Sequence, residues 1–159
     1  MTMDKPIKHS LKERGHKKRL KEYTPENINS LKPNEVFVFE SNLAGHHGGG
    51  AARTALKKFG AKMGQDVGLQ DQSYAIPTMQ GGVETIKPYV DDFISFAKAH
   101  PELKFYVTRI GCGIAGFKDE EIAPLFQEAF GEDNIILPKS FADIIEPKFP
   151  FYSEVILTF

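Results

Sequence analysis

Apolar and polar residues recur along this chain with two different periods, and the periods mark out its elements. Val36-Phe37-Val38-Phe39 is a continuous run of β-branched and aromatic residues. Such a run reads as a strand buried on both faces. Glu40-Ser41-Asn42 follows, then a loop carrying Gly45, Gly48, Gly49 and Gly50. A helix is expected next, from about Ala51 to Phe59, with small residues inward and a stop at Gly60. Lys57 and Lys58 near its end suit the helix dipole. Residues 61–72 are polar and glycine-containing and read as a loop. Ser73 to Thr78 reads as a second strand whose ladder ends at Pro77, with Gly81-Gly82 in the loop beyond.

Ile86, Tyr89, Val90, Phe93, Ile94 and Ala97 recur at helical spacing over Thr85 to Ala99, with Pro88 expected in the first turn. Asp91 and Asp92 are adjacent, and neighbours on a helix do not face a common point, so they are read as solvated rather than as an acid–base pair. His100-Pro101 closes the helix. Phe105 to Ile110 reads as a third strand running into a second glycine loop, Gly111-Cys112-Gly113-Ile114-Ala115-Gly116-Phe117. Asp119, Glu120 and Glu121 favour a helix start, with Ile122, Leu125, Phe126 and Ala129 as its buried stripe and Pro124 disturbing its first turn. A fourth strand over Asn134 to Leu137 and a helical turn over Ser140 to Ile145 complete the pattern. Phe149 to Phe159 is aromatic and β-branched, and reads as an added edge strand or a subunit contact. Strand and helix alternate, which implies an α/β domain with a mainly parallel sheet and helices on both faces.

Composition changes this picture little. A chain of 159 residues suits one domain with a real core. No apolar run approaches the roughly 20 residues that a membrane span needs, and no segment has a signal-peptide core. The single cysteine, Cys112, excludes an internal disulfide, and the simplest localisation is cytoplasmic. Charge is more informative. Residues 1–21 hold eight lysines and arginines against two carboxylates, whereas the remainder holds 12 basic and 19 acidic residues. Residues 1–22 therefore read as a basic arm and 23–159 as a single acidic domain. Such an arm is either a contact for a polyanion such as nucleic acid or a solvated leader.

The candidate chemistry lies in the two glycine loops. Each follows a strand and precedes a helix. Glycines there let a backbone approach a phosphate, and a helix N-terminus offers N–H groups and partial positive charge. The alternative is a tight turn with nothing bound. In an open α/β sheet both loops leave the carboxyl edge of the strands, where ligands sit, and two cradling loops on one edge suggest a diphosphate-bridged ligand. No Gly-Lys-Ser/Thr, no G-x-G-x-x-G and no zinc-ligand spacing occurs, so P-loop, dinucleotide-fingerprint and zinc readings are set aside and no cofactor is called for. His46-His47 are either exposed loop residues or ligand contacts. Cys112 is either a small wall residue or, beside a proposed helix N-terminus, a favoured thiolate.

These loops resemble those of the macrodomains, the family that binds ADP-ribose. Phe39-Glu40-Ser41-Asn42 through Gly48-Gly49-Gly50-Ala51-Ala52 looks like the first macrodomain loop, and Gly113-Ile114-Ala115-Gly116-Phe117 looks like the second. The resemblance runs over about residues 26–137. Arg109-Ile110-Gly111-Cys112-Gly113 and Lys57-Lys58-Phe59-Gly60 look especially like the terminal ADP-ribose glycohydrolase branch. The resemblance implies a three-layer macrodomain-like fold that binds ADP-ribose, a related nucleotide or an ADP-ribosylated macromolecule. It places Asn42 near the distal ribose, with Ser41 beside it among the ligand-binding residues, Gly48, Gly49, Gly50 and Ala51 on the diphosphate, and Gly111, Cys112, Gly113, Ile114, Ala115 and Gly116 in the second diphosphate loop. Phe117 becomes a wall, and Asn27 stands where an adenine-contacting Asp is usual. The branch's lysine nucleophile and aspartate acid–base group correspond to Met79 and Ala115, which can do neither job. Its implied activity is thus binding, or hydrolysis through water, for which Asn42, His47 and Asp119 are the catalytic candidates.

The arm offers few apolar side chains to a core. Removal of residues 1–21 is expected to leave the thermal melt in place, and a loss of many degrees would show the arm to be structural.

Overall fold

The computed structural model describes residues 22–42 and 50–146. The basic arm, most of the first glycine loop (residues 43–49, with His46, His47, Gly48 and Gly49) and the aromatic segment 149–159 lie outside the described residues. Within them the chain forms β1 (Glu35–Ser41), α1 (Gly50–Lys58), β2 (Gly68–Gln70), β3 (Ser73–Pro77), α2 (Val83–Lys98) and β4 (Lys104–Val107). There follow α3 (Asp119–Ile122), a 3-10 helix over Ala123–Ala129, β5 (Ile135–Ile136) and α4 (Lys139–Ile145).

The five strands make one sheet in the order β2-β3-β1-β4-β5. β1 pairs in parallel with β3, Phe37 opposite Ser73 and Ser41 opposite Pro77, and with β4, Glu35 opposite Lys104 and Val38 opposite Val107. β5 continues the parallel set beside β4, whereas β2 is antiparallel to β3. The fold is therefore a mixed α/β sheet with helices on both faces, as the alternation predicted.

The apolar run at 36–39 explains the two faces. Successive side chains of a strand point to opposite sides. Val36 and Val38 enter a core with Tyr74, Ile76, Phe105 and Val107, closed by Ile86, Val90, Phe93 and Ala97 of α2 and by Ile122, Phe126 and Phe141. Phe37 and Phe39 enter a second core with Ala75, closed by Ala52, Ala55 and Phe59. α1 ends where Gly60 takes φ +82° and the Ala61 N–H reaches the Ala55 carbonyl at 3.1 Å, a glycine-terminated helix end.

Three local expectations are corrected, and the irregularity expected at Pro124 is found. The loop read at 61–72 contains β2, a three-residue strand that folds back on β3 through a turn at Asp71-Gln72. Val67 and Leu69 are exposed and Gly68 has φ +89°, so no alternation marked this strand. α2 starts at Val83, which puts Pro88 inside the helix instead of its first turn. Pro88 is exposed, so water can serve the Glu84 carbonyl that Pro88 cannot. The strand read at 105–110 ends at Val107, because the Ile110 N–H turns back to the Thr108 carbonyl at 2.7 Å and Gly111 adopts φ +78°. Around Pro124 the helix tightens from α to 3-10, which disposes of the missing N–H.

Phe93 is fully buried, edge-on to Tyr74 at 5.1 Å and to Phe105 at 5.4 Å. Phe93→Ala removes the hub of the larger core and should cost about 3–5 kcal/mol, read by urea unfolding.

Candidate functional site

Parallel pairing of β3, β1 and β4 delivers three strand ends to one edge: Thr78-Met79, Ser41-Asn42 and Thr108-Arg109. Their junctions are tied. The Thr78 N–H donates to the Ser41 carbonyl at 2.9 Å, and the Thr108 N–H and hydroxyl both donate to the Val38 carbonyl, at 3.2 and 2.7 Å. The buried Ser41 hydroxyl donates to the Asp66 carbonyl at 2.6 Å, so its hydrogen is committed to holding the segment before β2. Asn42 is half-buried directly after β1.

The second glycine loop leaves β4 at this edge. Gly111 at φ +78° and Gly116 at φ +84° occupy the left-handed region, and a Cβ on Gly111 would also lie 2.9 Å from Ile122 Cδ1. Inside the loop the Cys112 N–H bonds the Arg109 carbonyl at 3.2 Å, the Gly116 N–H bonds that of Gly113 at 3.0 Å, and the Phe117 N–H bonds that of Gly111 at 2.8 Å. Between these ties the N–H groups of Gly113, Ile114 and Ala115 have no acceptor among the described residues. Gly113 and Ile114 are exposed, Ala115 and Phe117 half-buried. Consecutive backbone N–H donors can hold an anion where they converge on one point.

Glu40 fastens the loop to the sheet. Its Oε1 accepts the Gly111 N–H at 2.8 Å and the Thr78 hydroxyl at 3.2 Å, joining the ends of β1, β3 and β4. Its Oε2 lies only 2.9 Å from where a Cβ on Gly113 would stand. Sequence reasoning did not single out this residue. The available signal was a carboxylate placed immediately after four buried apolar residues, before a polar strand end.

Asp119 and Cys112 are engaged differently from expectation. Arg109 Nε and Nη2 donate to the two oxygens of Asp119 at 3.0 and 2.9 Å. The Cys112 thiol and the Ser140 hydroxyl add hydrogen bonds to Oδ1 at 3.4 and 3.3 Å. The hydrogen bonds from Arg109 above all hold the Asp119 carboxyl below its ordinary range, which keeps it an anion and a weak base. The Cys112 thiol is pushed up to about 12, by burial first and by Asp119 next. The helix after the loop begins only at Asp119 and is four residues long, so it does not lower that value. Of the two readings of Cys112, the raised thiol favours the small wall residue over the thiolate.

Of the other predicted residues, Gly50 opens α1 at φ +56° and Ala51 is half-buried behind it. Asn27 is exposed in the segment before β1. Met79 is 49% exposed at the end of β3. His47, Gly48 and Gly49 lie outside the described residues. Two cavities, of about 110 and 340 Å³, lie elsewhere. The first flanks β5 between Tyr23, Phe130 and Leu137, and the second lies at the amino ends of β1, β4 and β5 beside Asn34, Lys104 and Asn134. Among the described residues no cluster of three or more His, Cys, Asp or Glu side chains suits a metal, and no helix is long and apolar enough to cross a membrane.

Fold and edge together define a mixed α/β protein in which backbone donors and one carboxylate gather at the carboxyl ends of parallel strands. Compared with known proteins, the chain matches no family model, no curated protein and no solved structure.

A thiol held near 12 is almost wholly protonated at pH 8, so Cys112 should alkylate with iodoacetamide far more slowly than a free cysteine thiol. Asp119→Asn removes the anion while Arg109 remains, so the thiol value falls and alkylation speeds up. An unchanged rate would show that access, not ionisation, controls this thiol.

Proposed function

We propose that the carboxyl edge binds the diphosphate of ADP-ribose or of a related nucleotide. The carrying observation is the row of N–H groups at Gly113, Ile114 and Ala115, with no acceptor among the described residues. The loop's two left-handed glycines and the bond from the Gly111 N–H to Glu40 hold it in a preformed shape. A preformed loop binds without an ordering cost. Backbone N–H groups are also the donors that the resemblance to macrodomains assigns to the diphosphate. The resemblance assigns Gly48, Gly49, Gly50 and Ala51 to the first diphosphate loop and Asn42 to the distal ribose.

The same edge favours binding over lysine-dependent glycohydrolysis. Met79 has a thioether, which forms no Schiff base, and Ala115 has no titratable group. Loss of a covalent nucleophile or of an acid–base group costs on the order of 10² to 10⁴ in rate. Asp119 is a poor substitute base, since Arg109, Cys112 and Ser140 already occupy its oxygens.

Titration calorimetry with ADP-ribose tests the reading directly. Ala115→Glu adds a carboxylate beside the open N–H row at a position that needs no left-handed backbone, and should weaken binding at least about tenfold by like-charge repulsion. A folded variant that binds as tightly as the wild type would show the ligand to be elsewhere. Incubation with ADP-ribosylated protein and borohydride should trap no lysine adduct by mass spectrometry. Release of ADP-ribose without an adduct would instead identify water as the nucleophile.

A further inference from the structure

Anion binding leaves one carboxylate on this edge unexplained. A negative side chain beside a phosphate loop repels the phosphate. Yet Glu40 is fixed there from two sides, by the Gly111 N–H and by the Thr78 hydroxyl. Among the described residues no cation pairs with it, and Arg109 of the same loop is bound to Asp119 through both Nε and Nη2. A half-buried carboxylate without a cation is costly to keep, so hydrogen-bond donors must stabilise it.

The two oxygens of Glu40 differ. Oε1 has accepted two hydrogens. Oε2 faces Gly113, close enough that a Cβ there would stand at 2.9 Å. Gly113 does not take up a left-handed φ, and Oε2 is the atom that a side chain there would meet first. An ionised carboxylate oxygen only accepts. It rejects phosphate oxygens and welcomes hydroxyls, and charge-assisted bonds of that kind are about twice as strong as neutral ones.

We propose that Glu40 is the specificity-determining residue of this edge. Its Oε2 accepts a hydrogen bond from a hydroxyl of the sugar that follows the diphosphate. The edge therefore selects a nucleoside diphosphate sugar over a bare nucleoside diphosphate. This inference rests on the diphosphate reading above and adds the discrimination within it.

The test compares ADP-ribose with ADP by calorimetry on the full chain. In Glu40→Gln the amide oxygen can keep both bonds of Oε1, while the amide nitrogen, a donor, replaces Oε2. The preference for ADP-ribose over ADP should fall about tenfold. Gly113→Ala places a Cβ 2.9 Å from Oε2, so the same fall in the preference is expected there, and this variant decides the matter if Glu40→Gln does not give a cooperative melt. A wild type without preference for ADP-ribose, or a preference that moves less than about twofold in the folded variants, overturns the inference and leaves the diphosphate reading standing. A wild type that binds neither nucleotide overturns both.

Discussion

Four apolar residues in the middle strand govern the architecture. Val36, Phe37, Val38 and Phe39 are all buried, and consecutive strand residues face opposite ways. Neither face of β1 can meet water, so the sheet must be covered twice. α2, the 3-10 helix and α4 cover one face, and α1 covers the other. A strand buried in this way also needs partners on both edges for its N–H and C=O groups. β3 and β4 supply them, both parallel, and parallel partners require long crossovers that return the chain to the same end of the sheet. The gathering of three strand ends at one edge is thus a consequence of burying the 36–39 run.

On the loop after β4, Arg109 is paired with Asp119 through Nε and Nη2, while Lys118 at the loop's end is exposed. In the proposed anion-binding reading the donors are backbone N–H groups, which a rotamer change cannot move. The loop shape that exposes them depends on Gly111 and Gly116 for φ, on Gly113 for close approach, and on Glu40 for attachment. Three glycines and one glutamate set the shape of this loop together.

The opposite end of the sheet carries charge for a different purpose. Glu35 is buried and accepts the Lys32 N–H at 2.9 Å and the Tyr106 hydroxyl at 3.2 Å, while Lys104 pairs with Glu22 at 2.6 Å. These bonds tie the entering segment to the amino ends of β1 and β4. At the β2 side the Gln65 amide donates to the Val67 and Leu69 carbonyls at 3.3 and 3.2 Å, occupying acceptors that an edge strand would otherwise present.

Local sequence pattern determined the buried run of β1, the stripe of α2, the glycine stop of α1 and the position of the glycine loop after β4. Those features are local: side-chain spacing and glycine backbone freedom act within a few residues. β2 was invisible because three residues with an exposed Val67–Leu69 flank and a glycine carry no period, and only β3 makes them a strand. The length of β4 was illegible for a related reason, since apolar residues continue past the point where a tight turn ends the ladder. The site divided in the same way. Its glycines were legible as glycines, whereas Glu40 beside Gly111, 71 residues away, and the engagement of Cys112 and Asp119 with Arg109 and Ser140 were decided by tertiary structure. Hydrogen bonds between side chains and distant backbone leave no spacing in a sequence, because the chain ends they join meet only after the parallel sheet has formed.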